Sequence, residues 1–98
     1  MAKFIIYLEL TKADSHEYDN FNELLESKNI LKKIQDEESL RWYYLPNNFY
    51  YYKGEINDRE IIYDNVSQSV NDLGLEIFGI VVITALGVTW EGLSLHFF

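Results

Sequence analysis

The side chains with chemistry to offer fall into four sets: two histidines, a basic cluster, an aromatic run and a pair of carboxylates. His16 and His96 are the only histidines. Phosphodiester cleavage by acid–base transfer needs both partners within reach of one substrate. These two stand near opposite ends of the chain, and their spacing does not pair them. An exposed His near a helix start and another near a terminus is the plainer reading. Lys28, Lys32 and Lys33 lie close together, and Arg41 of the following strand would stand beside them. Such a cluster attracts phosphate, while lysines near a helix end also serve as ordinary dipole partners.

Trp42–Tyr44 and Phe49–Tyr52 are aromatic throughout. Exposed aromatics on a sheet stack unpaired bases. Aromatics also favour strands for packing alone, and a strand shows at most half of them to one side. Glu9 and Asp14 flank the end of the first strand. Doubled by a two-fold axis, they could hold Mg²⁺ through hard oxygen ligands. Asp14 reads equally as a helix cap and Glu9 as a solvated strand residue. No phosphate-cradling Gly loop, Ser nucleophile motif or HExxH occurs. With no cysteine, disulfides, Cys zinc sites and thiol nucleophiles are excluded. No metal site is assigned, and no cofactor beyond that Mg²⁺ option.

The elements that must position these groups are legible from period and punctuation. Lys3 to Leu10 alternates as a strand. Asp14 with Glu17 predicts a capping box, followed by a helical stripe of Tyr18, Phe21, Leu24 and Leu25 that stops at Asn29. Ile30 to Gln35 reads as a second strand and Asp36–Ser39 as a polar turn. Leu40 to Lys53 reads as one long aromatic strand bent near Pro46. Asn57 with Glu60 predicts a second capping box. Ile61, Ile62, Val66, Val70 and Leu73 then make a helical stripe closed by Gly74. Glu76 to Thr84 is a fourth strand, and Trp90 to Phe98 offers a short fifth.

The predicted class is therefore α+β: a ferredoxin-like βαββαβ domain over residues 1–98. It has a four-stranded antiparallel sheet, two helices on one face and a C-terminal extension over 85–98. Ninety-eight residues leave no room for a second core. A formal charge of −8 opposes passive adhesion to nucleic acid or anionic lipid. No secretory signal or membrane span is evident, which predicts a cytoplasmic protein.

Both faces of the sheet read as apolar. Helices hide one, leaving Ile5, Tyr7, Ile80 and Val82 to need another cover. A homodimer about a two-fold axis supplies it most simply. The tail strand could pair with the partner's edge, or residues 85–98 could fold back within one chain.

From Phe4 to Leu93 the sequence resembles a known family. The resemblance runs through "YLEL" with Glu9, "EYDNFNELLESKNI" with Tyr18, "KKIQDEESLRWYYLP", Gly54, "VVIT" and "GVTWEGL". These look like the small bacterial proteins grouped with GhoS, the endoribonuclease antitoxin of type V toxin–antitoxin systems, related in fold to Cas2. The resemblance implies a cytoplasmic protein that cleaves the messenger RNA of a small membrane-active toxin. Asn22 stands where relatives often carry His, and Val88 where many carry Arg, and no catalytic residue is carried over. On the enzyme reading, Lys32, Lys33 and Arg41 hold the phosphates of single-stranded RNA, and a base stacks on Trp42 or Tyr44. The alternative is a non-catalytic module that binds or inhibits a protein partner through the same dimeric fold, favoured by the acidic charge and the abundant Tyr.

Overall fold

The computed structural model describes residues 1–85 and the backbone of residues 95–96. Strand β1 (Ala2–Leu10) alternates as its sequence requires, burying Phe4, Ile6, Leu8 and Leu10. Helix α1 (Ser15–Glu26) starts at Asp14. The Asp14 carboxylate accepts the Glu17 N–H at 2.8 Å, and the Glu17 carboxylate accepts the Asp14 N–H at 3.3 Å. This is the expected capping box. Phe21 and Leu25 form its buried stripe. The chain then reverses through Asn29, whose φ of 62° is the left-handed conformation that Asn tolerates.

From here the structure departs from the sequence reading. The expected second strand is two pieces, β2 (Ile30–Leu31) and β3 (Lys33–Gln35). The expected long aromatic strand is also two, β4 (Trp42–Tyr44) and β5 (Phe49–Gly54). β2 and β5 belong to one sheet, while β3 and β4 form a hairpin in another. Lys32 and the Pro46–Asn48 turn are where the chain changes sheets. Pro46 has no N–H to give a ladder, and Asn48 takes a φ of 70°.

Helix α2 (Arg59–Asp72) is capped by Asp58, not by Asn57 as expected. The Asp58 carboxylate accepts the Glu60 N–H at 2.9 Å, which moves the start one residue on. The helix closes as predicted at Gly74, with φ of 67°. The Gly74 N–H donates to Asn71 O and the Leu75 N–H to Val70 O, a Schellman motif. Strand β6 (Ile77–Thr84) follows. The tail contributes β7 (Leu95–His96), which pairs with β4 of the same chain, Trp42 opposite His96 and Tyr43 opposite Leu95. The expected fifth strand thus joins the second sheet; the rest of the 86–98 tail, Gly87, Val88, Trp90, Gly92 and Leu93 included, lies outside the described residues.

The main sheet is antiparallel in the order β2-β5-β1-β6, and the second sheet runs β3-β4-β7. Two helices and the first sheet enclose one core: Phe4, Ile6 and Leu8 of β1, Tyr50 and Tyr52 of β5, Phe21 and Leu25 of α1, and Ile62, Val66 and Val70 of α2. Each such aliphatic side chain contributes about 1.5–3 kcal/mol when fully buried.

The second face is not as the sequence predicted. Ile80 and Val82 pack toward the helical core, because Ile80 pairs with Leu8 and Val82 with Ile6. The side chains on the far face are those of Ile5 and Tyr7 with their cross-strand neighbours Ile83, Val81, Tyr51 and Phe49. Half of this face is covered within the chain. The β3–β4 hairpin lies over the β5 side, burying Ile34 and leaving Tyr51 only 8% exposed. Glu37 at its tip accepts a hydrogen bond from Lys3 and approaches Lys53 to 4.0 Å. The β6 side is open: Val81 is 53% exposed, Ile83 51% and Phe78, beside a bulge in the pairing, 72%. No helix among the described residues is long and apolar enough to cross a membrane.

Candidate functional site

Where the chain changes sheets, it opens a groove against α1. One end is a cleft of about 410 Å³ walled by Ser15, Tyr18, Asp19 and Asn22 of the helix, and by Asn47, Asn48 and Tyr50 of the turn and β5. The other end is a depression of about 230 Å³ walled by Glu26, Ile30, Leu31, Lys33 and Tyr44. Asn22 and Lys32 line both, so the two are continuous.

Lys32 forms the floor between them. Its ammonium donates to Pro46 O and Phe49 O, each at 3.1 Å, and sits 4.7 Å from the centre of the Tyr50 ring. Burial pushes its pKa below the usual lysine value. Lys32 therefore ties down the Pro46–Phe49 turn, and its protons are largely committed. Tyr50 lies against it, buried, with the hydroxyl donating to Asn22 Oδ1 at 2.5 Å. Burial raises the Tyr50 pKa, and Tyr18 adds to this, so the hydroxyl stays protonated. The Tyr18 hydroxyl in turn accepts the Leu10 N–H at 2.9 Å.

The structure brings together three of the five residues expected to bind RNA. Lys32, Lys33 and Tyr44 share the groove, because the hairpin register sets Lys33 opposite Tyr44. Trp42 lines a different cavity of about 140 Å³, under the hairpin with Leu31 and Tyr51. Lys33 bridges the two places, its ammonium 5.2 Å from the Trp42 ring centre. Arg41 stands apart. It lies at the hairpin turn, where Asp36 N–H donates to Arg41 O, three positions along β3 from Lys33. Strand rise puts that at about 10 Å along the backbone, and Arg41 is not among the residues that wall the groove. Lys28 is also absent from the groove: its ammonium donates to Ser69 Oγ at 2.6 Å and joins α1 to α2.

Compared with known families, curated proteins and solved structures, the chain matches none. Its site must therefore be read from its own side chains.

His16 is exposed in the first turn of α1 beside Asn20. The side chain of His96 lies outside the described residues. Glu9 accepts a hydrogen bond from the Tyr7 hydroxyl at 2.7 Å, and Asp14 is committed to its cap. Among the described residues no group of three or more acidic or His side chains converges as a metal site. Sequence reasoning did not pick out Asp19, Asn47 and Asn48 as groove residues. Asn after Pro reads as turn chemistry, and Asp19 as one more solvated helix charge. The one available signal was the spacing Ser15, Asp19, Asn22, which places three polar side chains on one helical face.

Proposed function

We propose that this chain is a ferredoxin-like protein of the GhoS type that binds single-stranded RNA in the groove between α1 and the Lys32–Tyr44 strand edge. The fold part of the reading is supported by the strand order. With the β3–β4 hairpin taken as an insertion, β1, β2, β5 and β6 stand as first, second, third and fourth strands in the order 2-3-1-4, with the two helices between them as βαββαβ requires. The observation that carries the RNA part is the continuous groove itself. On a chain with a charge of −8, it sets Lys33, a tyrosine ring and three asparagine amides along one path. Cations and rings in sequence along a groove are what a single strand needs for its backbone and bases. Cytoplasmic cleavage of a toxin's messenger RNA is what the family resemblance implies, and the groove is where we propose that the strand lies.

Fluorescence anisotropy with a labelled twelve-nucleotide single-stranded RNA tests this. Binding should weaken with salt, and Lys33→Ala and Tyr44→Ala should each reduce affinity, Tyr44→Ala by about fivefold or more. Arg41→Ala should change little. Incubating wild type with the same RNA, in Mg²⁺ and in EDTA, then separates a binder from a nuclease. No binding at low salt overturns the reading.

A second reading rests on the open half of the far face. Phe78, Val81 and Ile83 are exposed together on β6, the edge strand of the main sheet. This favours a homodimer, or a protein-binding module, using that edge. Light scattering at high micromolar concentration tests it: a dimer that Val81→Lys converts to monomer supports the edge, and a monomeric wild type removes the dimer.

A further inference from the structure

The cleft end of the groove differs in chemistry from the lysine end. Its one cation, Lys32, already donates to two carbonyl oxygens and lies against Tyr50. Its one anion, Asp19, has no hydrogen-bond or ion-pair partner among the described residues and would repel phosphate. A neutral polar group therefore suits this end; at the other end Lys33 offsets Glu26 and gives the phosphates a cation. Along an RNA strand the neutral polar groups are the ribose and the base, and of these the base has a flat face to set against the tyrosine ring at position 18 on the same wall.

Asp19 and Asn22 decide which base. They stand three residues apart on α1, side by side on one helical face. A carboxylate only accepts hydrogen bonds, and Asp19 supplies one. Asn22 already accepts from the buried Tyr50 hydroxyl through its carbonyl oxygen, and its amide N–H groups are the donors it can offer. The pair thus offers two acceptors followed by a donor. Guanine presents the complement on its pairing edge: N1–H and the 2-amino group as adjacent donors, then O6 as acceptor. Adenine, cytosine and uracil each present one donor position there, not two side by side. We infer that the cleft walled by Asp19, Asn22 and Asn48 is a guanine-binding subsite for an unpaired nucleotide of the RNA strand. This rests on the RNA reading above, since the base reaches the cleft from a strand lying along the groove.

The test uses the full chain and U-rich RNA nonamers carrying one central G, A, C or U, with binding followed by anisotropy. The G oligomer should bind about tenfold tighter than the others, the scale of one good bidentate base contact. Inosine, which lacks the 2-amino group, should fall between G and U. Asp19→Asn should erase the preference for G, so that the G and U oligomers bind alike; Asp19 is exposed, so the fold should survive. Equal affinity for all four bases, or a G preference that persists in Asp19→Asn, overturns the guanine subsite while leaving RNA binding standing. No binding of any oligomer overturns both.

Discussion

The two faces of the main sheet are built from the same kinds of residues yet closed in different ways. On the helix side, Phe4, Ile6 and Leu8 meet α1 and α2 and lose contact with water. On the far side, Tyr51 is sealed by a hairpin while Val81 and Ile83, two strands away, stay half exposed. Tyr50 and Tyr51 are consecutive, and strand alternation sends one to each side. Tyr50 is fixed by Asn22 and Lys32; Tyr51 is covered by a hairpin whose attachment includes exposed ion pairs. Apolar composition on both sides of a sheet does not by itself specify what covers each side. The hairpin, which lies between β2 and β5 in the chain, does half of the work assigned to a second molecule by sequence reasoning.

The sharpest contrast comes from truncating one residue on each side. Ile6→Ala should destabilise by about 2–5 kcal/mol, because a fully buried side chain leaves a cavity. Val81→Ala should fall within about 0.5 kcal/mol in the isolated chain. Urea denaturation checks both, and a large Val81 effect would mean that this face is covered in solution. Next is Gly54→Ala. A Cβ there would run into the Tyr52 hydroxyl and lie 2.8 Å from the ring carbon that bears it, and Tyr52 is itself buried. A cost of about 1–3 kcal/mol is expected from such overpacking.

Tyr50→Phe removes the donor to Asn22 and should cost about 0.5–1.5 kcal/mol by the same measurement. It also changes the alkaline limb. A tyrosine whose pKa is raised on folding contributes stability below its ordinary value of 10.0, lost as pH rises beyond it. Wild type should weaken above about pH 10 more steeply than Tyr50→Phe.

The smallest effect belongs to the hairpin tip. Lys3 holds the Glu37 carboxylate below its ordinary value of 4.5, and Glu37 raises Lys3 above 10.5. The carboxylate's contribution is present above its ordinary value and lost as pH falls through the lowered one. The ammonium's is present below its ordinary value and lost as pH rises through the raised one. Both are exposed to solvent, which screens the pair. Glu37→Gln should therefore lower the urea midpoint slightly at pH 7, with the difference shrinking toward pH 2 and toward pH 12.

Much of this architecture is legible in the residues. Asp14 with Glu17, Gly74 and the alternation of β1 each act within a few positions, and each appears where its local chemistry puts it. The break at Lys32 is not legible, since no Gly or Pro marks it. It is held by two carbonyls fourteen and seventeen residues away. The same tertiary tie explains the candidate site. Lys32, Lys33 and Tyr44 were recognisable by type, but Arg41 looked equivalent until the hairpin register carried it to the far turn. Asn47 and Asn48 look like turn formers and are; only the approach of α1 turns them into the wall of a cleft.

The most direct measurement is a ¹⁵N correlation NMR titration of the chain with a U-rich nonamer bearing one G. Shifts should concentrate in the backbone of Asp19–Asn22, Lys32–Lys33 and Tyr44–Asn48, and in the side-chain amides of Asn22 and Asn48, leaving Phe78–Ile83 in place. Shifts confined to Phe78–Ile83, or none at saturating RNA, would contradict the groove as the binding site.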